Sequence, residues 1–401
     1  MFSTYLNFVV TVITCFFSLN ASGQWKKIYS GTINDLYDVR QYDNRVYACG
    51  QNSTIISSTD SGKTWKTLSI PITSNLRTLH FFDSLKGIVT GENARVLKTY
   101  DGGKNWTQKY ARTAAYAYDI YFLGDSGILV GKDFLIASTS NGGETWRVDT
   151  TDQIRKELKS VTISPEGRCW AVGDSGFLLK KHISQYKWKT VKLPTKINLT
   201  SVVTFGESDL VICGGMPDTA HVGKHFNIIF YSQDTGKTWT STGVTEMKTI
   251  YSASYFSKDT GMMVGSNGIV SKVYQPLSKR GQQISGVSST LNRIACKNQV
   301  AIIVGDGGTI LRSINRGGFG VNIQDIHASE LKLYPLPSEG ILHIDANNAI
   351  YKIELLDQNG KTISSSFDTI SNELQTDHSG FAIVKISFEN GNVTYRKVFF
   401  F

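Results

Sequence analysis

The 401-residue sequence predicts an all-β protein in which a seven-bladed β-propeller, closed by its N-terminal strand, precedes a small C-terminal Ig-like β-sandwich. A β-run that ends in glycine recurs seven times, and the final glycines are 41, 40, 42, 41, 51 and 40 residues apart. Seven copies at this period match units of four short strands, which bury both faces only when they stack radially. Alternating strands of a different composition follow residue 328, which indicates a second domain.

The first 23 residues are predicted to be a Sec signal peptide. Residues 8–17 form an apolar run of the length typical of such peptides, and Ala21, Ser22 and Gly23 supply the small residues of a cleavage site. The run is too short to span a bilayer, and no other segment is apolar enough. We therefore expect export without a transmembrane anchor.

The mature chain keeps four cysteines, and we expect them to be buried free thiols. Cys49 and Cys213 occupy the same place in two distant repeats, so they would lie on separate blades, too far apart for a disulfide. No Cys/His spacing indicates zinc, and no cofactor is predicted. The four cysteines are Cys49, Cys169, Cys213 and Cys296.

An eight-residue turn signature follows most of the glycine-ended runs. Residues 58–65 and 232–239 read Ser-x-Asp-x-Gly-Lys-Thr-Trp, and residues 99–106 and 139–146 are close copies. The Asp or Asn is expected to cap backbone N–H groups of a hairpin turn, and the Trp to pack between neighbouring blades. The residues predicted to have this structural role are Asp60, Trp65, Asp101, Trp106, Asn141, Trp146, Asp234 and Trp239.

The tryptophans also predict how the ring closes. Trp25 lies 40 residues before Trp65 although no repeat precedes it, and the last repeat stops after residues 317–318 without a Trp. Residues 25–29 are therefore predicted to be the outer strand of the seventh blade, which removes an open sheet edge. The propeller would span residues 24–322, with a linker at residues 323–329.

These repeats resemble a known family. The turn signature is similar to the Asp box, or BNR repeat, and a Val-Gly-Asp-x-Gly-like run that leads into it, as at residues 173–179 and 305–313, resembles the propellers of the photosystem II assembly and stability factors. The resemblance implies a propeller over about residues 25–320 and Asp boxes that lie away from any active site. Sialidases also carry Asp boxes, but they have six blades and an arginine triad that this sequence lacks.

The C-terminal segment, residues 330–401, resembles the type A sorting domain of the type IX secretion system of Bacteroidota. It opens with Tyr-Pro-Leu-Pro-Ser-Glu-Gly at residues 334–340, has Asp-Gln-Asn-Gly-Lys at residues 357–361, and ends in a Lys-Val strand at residues 397–398. The resemblance implies export by Sec and then by the type IX machinery, and a secreted or outer-membrane surface location. An accessory sandwich such as a carbohydrate-binding module is the alternative.

Charge and repeat register indicate where a ligand would bind. Residues 330–401 carry −3 and the rest of the chain +12, which favours an acidic glycan or protein partner; no nucleic-acid motif is present. The innermost strand of each repeat starts on the face opposite the Asp boxes, and the fifth repeat carries a longer loop on that face. The residues predicted to line that face are Tyr37, Arg77, Tyr118, Lys159, Tyr251, Arg293, His221, Lys224 and His225.

Two functions remain open from the residues. The first is a monomeric, non-catalytic binding or scaffold propeller, for which no catalytic residue and no metal are predicted. The second is a glycan-active hydrolase, in which Asp38 and Asp119 would form an acid/base pair. The loop residues Asp218, His221 and His225 could ligate a metal, but loop histidines more often face solvent. A purely structural module is a third, weaker option.

Overall fold

The structure, a computed structural model, is all-β in its described parts. It describes residues 25–110, 115–151, 156–206, 208–217, 225–241, 245–246, 248–274, 279–317, 331–334, 340–346, 350–357, 361–368, 373–388 and 393–400. The predicted signal peptide and linker lie outside these ranges. None of the described helices has the length and apolar character needed to cross a bilayer.

Within the described part of residues 25–317, seven separate sheets follow one another along the chain, and all of their strand pairs are antiparallel except one short parallel pair in the fourth sheet. The first three, sheets 1 to 3, follow the short strand β1 (Lys26–Ile28). Their strands are β2 (Leu36–Tyr42), β3 (Arg45–Gly50), β4 (Ile55–Ser58) and β5 (Lys66–Thr67); β6 (Leu76–Phe81), β7 (Gly87–Gly91), β8 (Arg95–Thr99) and β9 (Thr107–Tyr110); and β10 (Ala117–Leu123), β11 (Ser126–Gly131), β12 (Ile136–Thr139) and β13 (Arg147–Val148).

Sheets 4 to 7 repeat the pattern, and sheets 4 and 5 each gain a short fifth strand. Their strands are β14 (Thr150–Thr151), β15 (Leu158–Ile163), β16 (Arg168–Gly173), β17 (Leu178–His182) and β18 (Lys187–Val191); β19 (Leu199–Phe205), β20 (Asp209–Pro217), β21 (His225–Ser232), β22 (Thr240–Ser241) and β23 (Thr245–Glu246); β24 (Ile250–Ser257), β25 (Thr260–Gly265), β26 (Val270–Tyr274) and β27 (Lys279–Gln283); and β28 (Leu291–Lys297), β29 (Val300–Gly305) and β30 (Ile310–Ser313).

The first strand of each sheet packs against the first strand of the next. The order of contact is β2, β6, β10, β15, β19, β24, β28 and back to β2, so these strands surround a central channel. Among the described residues, five single-turn 3₁₀ helices connect second and third strands, at Glu92–Ala94, Lys132–Phe134, Asp174–Gly176, Ser266–Gly268 and Asp306–Gly308.

The recurring glycine marks a close backbone contact. At Gly131, a Cβ atom would lie 1.8 Å from the carbonyl oxygen of Tyr116, just before the first strand of the same sheet. The next residue, Lys132, donates its N–H to that same oxygen at 2.8 Å. All seven sheets share this contact, at Gly50, Gly91, Gly131, Gly173, Gly214, Gly265 and Gly305. Only glycine lets the two backbones approach this closely.

A register shift accompanies each of these contacts. In sheet 3, Ala117 pairs with Gly131 and Asp119 pairs with Val130, so Tyr118 is the extra residue of a β-bulge. The same shift occurs at the start of every first strand. The extra residues, called bulge residues below, are Tyr37, Arg77, Tyr118, Lys159, Thr200, Tyr251 and Asn292.

The Asp boxes form the predicted turns between third and fourth strands. The Asp60 carboxylate accepts hydrogen bonds from the N–H groups of Lys63 and Thr64 and from the Thr64 hydroxyl. Burial by itself would raise the pKa of Asp60, but these hydrogen bonds hold that pKa well below its usual range. Asp101 and Asp234 accept equivalent bonds, and Asn141 replaces the carboxylate with an amide that bonds Thr145.

The N-terminal strand pairs with the last repeat, as predicted. β1 pairs antiparallel with β30 and becomes the outer strand of sheet 7. Trp25 is 6% exposed, packs with Met262, Val264 and Leu291, and donates its indole N–H to Gln283 at 2.6 Å. Other box tryptophans contact the neighbouring sheet in the same way: Trp65 packs against sheet 7 and Trp146 against sheet 2.

The four cysteines of the described chain are free thiols, as predicted. Cys49, Cys169 and Cys213 are buried and Cys296 is partly buried. Burial raises their pKa values, to about 12 for Cys169 and Cys213, so they stay protonated at neutral pH.

The C-terminal segment contains two sheets in the described residues. The strands are β31 (Leu331–Tyr334), β32 (Ile341–Ala346), β33 (Ile350–Leu356), β34 (Ser366–Asp368), β35 (Glu373–Gln375), β36 (Gly380–Phe388) and β37 (Val393–Phe400). One sheet has the order β31-β32-β35-β34 and the other β33-β36-β37. The apolar side chains of both sheets share one core, with Leu342 and Leu374 from one sheet and Leu355 and Val384 from the other.

The φ angle of Gly131 is −179°, which suits any amino acid. The close backbone contact therefore predicts that a side chain at this position is disfavoured by steric overlap alone. We expect Gly131→Ala to lower the free energy of unfolding by at least about 2 kcal/mol, because the new methyl group meets a carbonyl oxygen. Gly124→Ala is the control, since nothing lies within 4 Å of its Cβ although its φ is +58°; it should cost about 1 kcal/mol. Equal midpoints of urea denaturation for the two variants would contradict the steric explanation.

The closure by β1 predicts that Trp25 stabilises the whole propeller. Trp25→Ala should lower the free energy of unfolding by about 3–5 kcal/mol, because it empties a packed site between sheets 6 and 7. Lys26→Ala changes an exposed residue of the same strand and should stay within about 0.5 kcal/mol of the parent. Urea denaturation followed by circular dichroism measures both, and a small effect of Trp25→Ala would show that closure does not depend on this side chain.

Candidate functional site

The central channel carries the candidate functional groups in three layers. The bulge residues lie where the first strands start, on the face opposite the Asp boxes. The next residue of each strand forms a hydrogen-bonded layer, called the belt below. Farther along, the second halves of the first strands surround a cavity of about 390 Å³ on the Asp-box side, called the inner cavity.

At the outer layer, Arg77 is the group best placed to bind an anion. Its guanidinium carbon lies 3.9 Å from the centroid of the Tyr37 ring, in a cation–π contact. Its Nε atom is buried and has no hydrogen-bond partner. Within the described chain no carboxylate lies within ion-pair distance of Arg77. A buried donor without a partner is costly, so this group favours a ligand that accepts its hydrogen bond.

Lys159 occupies the equivalent position in sheet 4 but is already neutralised. Its ammonium lies 4.5 Å from the centroid of the Tyr118 ring and forms ion pairs with Glu157 and, at 3.8 Å, with Asp174. Burial raises the pKa of the Asp174 carboxyl and of the Tyr118 phenol. This pair therefore presents a cation, an aromatic ring and acidic groups together.

The remaining bulge residues divide into exposed and tethered side chains. Tyr251 is 36% exposed, and burial of part of its ring raises its pKa, as it does for Tyr37. Thr200 donates its hydroxyl to the carbonyl of Ile250 at 2.6 Å, and Asn292 donates to the carbonyl of Leu36 at 2.9 Å. The tethered residues join neighbouring sheets, so Tyr37, Arg77, Tyr118, Lys159 and Tyr251 are the ones left to meet a ligand.

The belt joins most neighbouring sheets through the residue after the bulge. Asp38 accepts the N–H of Leu79 at 3.0 Å, and Asp119 accepts the N–H of Val161 at 3.1 Å. Three serines accept the equivalent N–H groups in later sheets at 3.3–3.4 Å. The belt residues are Asp38, Thr78, Asp119, Ser160, Ser201, Ser252 and Arg293.

Two arginines bridge the two belt aspartates across the channel. Arg293 donates through Nε to Asp38 at 2.8 Å and through Nη2 to Asp119. Arg40 lies 3.3 Å from Asp38 and 2.9 Å from Asp119. Burial alone would raise the pKa of Asp38, but Arg293 and Arg40 hold it below its ordinary value. The two positive and the two negative charges balance each other at this level of the channel.

This arrangement tests the hypothesis that Asp38 and Asp119 form the acid/base pair of a hydrolase. Asp38 is 0% exposed and Asp119 2% exposed, and each has both oxygens engaged by protein donors. A general acid needs a carboxyl with a raised pKa and access to substrate. Asp38 has neither, so the acid/base pair has no structural support.

Arg293 does not share the layer of the other predicted face residues. It follows the bulge instead of forming it, and its side chain, 12% exposed, lines the inner cavity from the belt. Two charged partners hold it there, which residue spacing alone does not reveal.

The predicted loop residues His221 and Lys224 lie outside the described residues, and the side chain of His225 is not described. The segment between β20 and β21 that carries His221 and Lys224, residues 218–224, lies outside the described residues, so its predicted place on the face opposite the Asp boxes stays a prediction. In the described parts of the chain, no cluster of His, Cys, Asp and Glu is arranged to hold a metal ion.

The inner cavity was not predicted. Its wall includes the residues two positions after the belt, among them Arg40, His80, Tyr121 and Thr162. Burial, followed by repulsion from Arg40, lowers the pKa of His80 to about 3, so its ring is neutral at neutral pH. The repeat sequences could have predicted this layer, because the residues two positions after the belt are polar or aromatic in four consecutive sheets.

Comparison with known proteins agrees with the architecture. The family described as photosynthesis system II assembly factor YCF48 matches residues 17–100, 64–147 and 103–224. The secretion system C-terminal sorting domain matches residues 332–399. Such a domain indicates a secreted or cell-surface protein.

Curated relatives match at low identity. The photosystem II assembly lipoprotein Ycf48 of Synechococcus sp. (strain CC9902) is 24% identical over 200 residues, which cover 45% of this chain and 60% of the relative. The photosystem II stability/assembly factor HCF136 of Arabidopsis thaliana is 24% identical over 199 residues, which cover 41% and 49%. The matches thus span about half to three fifths of these two relatives.

Solved structures show the same fold. A structure titled YCF48 bound to D1 peptide aligns with a TM-score of 0.60 at 20% identity and covers 73% of this chain and 95% of that one. YCF48 from Cyanidioschyzon merolae aligns with a TM-score of 0.55 at 16% identity, over 72% and 98%. With repeats, Asp boxes and family match in agreement over more than half of its length, the chain belongs to the YCF48 photosystem II assembly factor family and carries a secretion sorting domain at its C-terminus.

Proposed function

We propose that this chain is a non-catalytic binding module that is exported and then holds an acidic segment of a partner protein on the face formed by the bulge residues. In this proposal residues 24–322 form one seven-bladed propeller, with the seven sheets as blades. Residues 330–401 form an Ig-like sandwich that addresses the protein to the type IX machinery, after a Sec signal peptide at residues 1–23 and a linker at residues 323–329.

The observation that carries the proposal is the uncompensated cation at Arg77. Its ring contact with Tyr37 fixes the guanidinium, and its buried Nε still lacks an acceptor. A carboxylate of a partner supplies that acceptor through a charge-assisted hydrogen bond. The aromatic rings of Tyr118 and Tyr251 lie at equivalent positions of other sheets and offer apolar contact area to the same segment.

Charge and family support the same partner class. The part of the chain before residue 330 carries +12, which attracts acidic surfaces over distances of about 10 Å. The relatives are named as assembly factors, and one solved relative is titled as bound to a peptide. A protein segment is therefore favoured over a glycan at this face. The belt aspartates are locked by arginines, so no observation favours a hydrolase.

Arg77 gives a direct test with labelled acidic peptides of about ten residues. Arg77→Ala should weaken binding about tenfold, because a charge-assisted hydrogen bond is lost. The matched control is Lys189→Ala, which removes the same charge from an exposed residue of the outer strand β18. Fluorescence anisotropy at low and high salt measures both. Equal losses for the two variants, or equal binding of basic peptides, would contradict a specific site.

The export route has a separate test. A chain that lacks residues 330–401 should accumulate in the periplasm, because the type IX machinery would no longer recognise it for transport across the outer membrane. The full chain should accumulate there too in cells without a working type IX apparatus. Cell fractionation and immunoblotting measure both, and an undiminished amount of truncated protein outside the cell would contradict this route.

A further inference from the structure

The inner cavity is a concave site that does not include the bulge residues of the proposed function. It lies on the Asp-box side of the belt, and the bridge of Asp38 and Asp119 with Arg40 and Arg293 separates it from the bulge residues. All seven first strands contribute to its wall. Its volume of about 390 Å³ falls within the range of roughly 300–1,000 Å³ that small-molecule sites occupy.

The electrostatics of the cavity exclude an ionic ligand as its preferred occupant. The two arginines at its floor are balanced by two aspartates. His80 in the wall is neutral at neutral pH. The ammonium of Lys297 at the rim lies 3.2 Å from a carboxylate oxygen of Asp43. An anion would compete with carboxylates already in place, and a cation would meet the arginines.

The walls combine aromatic rings with polar side chains. Phe122 lies with its ring centroid 5.0 Å from that of His80, and Phe205 stacks on Tyr255 at 4.4 Å. The hydroxyls of Thr162 and Thr204 lie 3.2 Å apart. Aromatic faces beside hydroxyl groups suit a ligand with apolar C–H faces and polar edges.

One polar atom of the cavity indicates which kind of ligand group would bind there. The Oε1 atom of Gln41, a cavity residue, is buried and has no hydrogen-bond partner. Buried acceptors are nearly always satisfied, and leaving one unpaired is costly. The Arg40 side chain remains 27% exposed in the wall and can donate further. The cavity therefore offers both an acceptor and a donor.

From these features we propose that the inner cavity binds a neutral, hydroxyl-rich molecule of the size of a mono- or disaccharide. Ligand hydroxyls donate to Gln41 and accept from Arg40, and the sugar C–H faces pack on the aromatic wall. An apolar ligand would leave Gln41 unsatisfied, and a charged one gains no ion pair. The site is independent of the proposed protein partner, because its residues lie on the other side of the belt.

The test uses the full chain and a panel of neutral sugars: glucose, galactose, mannose, xylose, N-acetylglucosamine and their common disaccharides, with glucuronic acid and glucosamine as charged counterparts. Saturation-transfer NMR detects binding and isothermal titration calorimetry measures affinity. We expect at least one neutral sugar to bind and both charged counterparts to bind at least about tenfold more weakly.

Two variants locate the site. Gln41→Leu removes the unpaired acceptor, and Ala295→Phe adds a ring where a small side chain lines the cavity; each should weaken sugar binding at least about tenfold. Ala295→Phe fills space without removing a hydrogen bond. It therefore still tests the site if Gln41→Leu lowers the stability of the fold. Arg77→Ala and Tyr251→Ala should leave the sugar affinity within about twofold, whatever they do to peptide binding.

Three results would overturn the proposal: no sugar bound at millimolar concentration, tighter binding of a charged sugar, or binding that survives both cavity variants. The first would mean that only water fills the cavity. Because the peptide and sugar tests use different variants, failure of one proposal leaves the other standing.

Discussion

The contact between each repeat glycine and the carbonyl before its first strand determines the rest of the propeller. At this point the two backbones approach too closely for any side chain, and the first strand adjusts by taking in an extra residue. That residue forms the layer of bulge residues, and the residue after it belongs to the belt. One backbone contact, repeated in seven sheets, thus accompanies both layers.

Much of this was accessible from the sequence because the signals are local and repeated. The glycine spacing predicted the sheets, the Asp-box pattern predicted turns such as that at Asp60, and the unmatched Trp25 predicted the pairing of β1 with β30. These predictions rest on short-range turn chemistry and on tryptophans that recur at one register.

Side-chain contacts across the channel could not be predicted in the same way. Arg293 shares its register with the belt aspartates, but only folding brings it within reach of both Asp38 and Asp119. The neutrality of the inner cavity depends on those pairs, and the orphan acceptor of Gln41 depends on which neighbours fail to reach it. The two pairs of Arg293 join residues 255 and 174 positions apart, a separation over which no repeat pattern records side-chain contacts. The predicted role of the fifth-repeat loop stays a prediction.

The pairing of β1 with β30 has a consequence for the order of events during export. The strand that completes sheet 7 is the first strand of the propeller to be synthesised, while Gln283 follows Trp25 by 258 residues and Ile310 follows Ile28 by 282 residues. Contacts this distant in sequence make folding slow, because a long loop must close before they form. A chain cannot complete this ring until almost all strands of the propeller have been made. On the export route proposed above, this late closure would delay compaction of the propeller until after the inner membrane has been crossed.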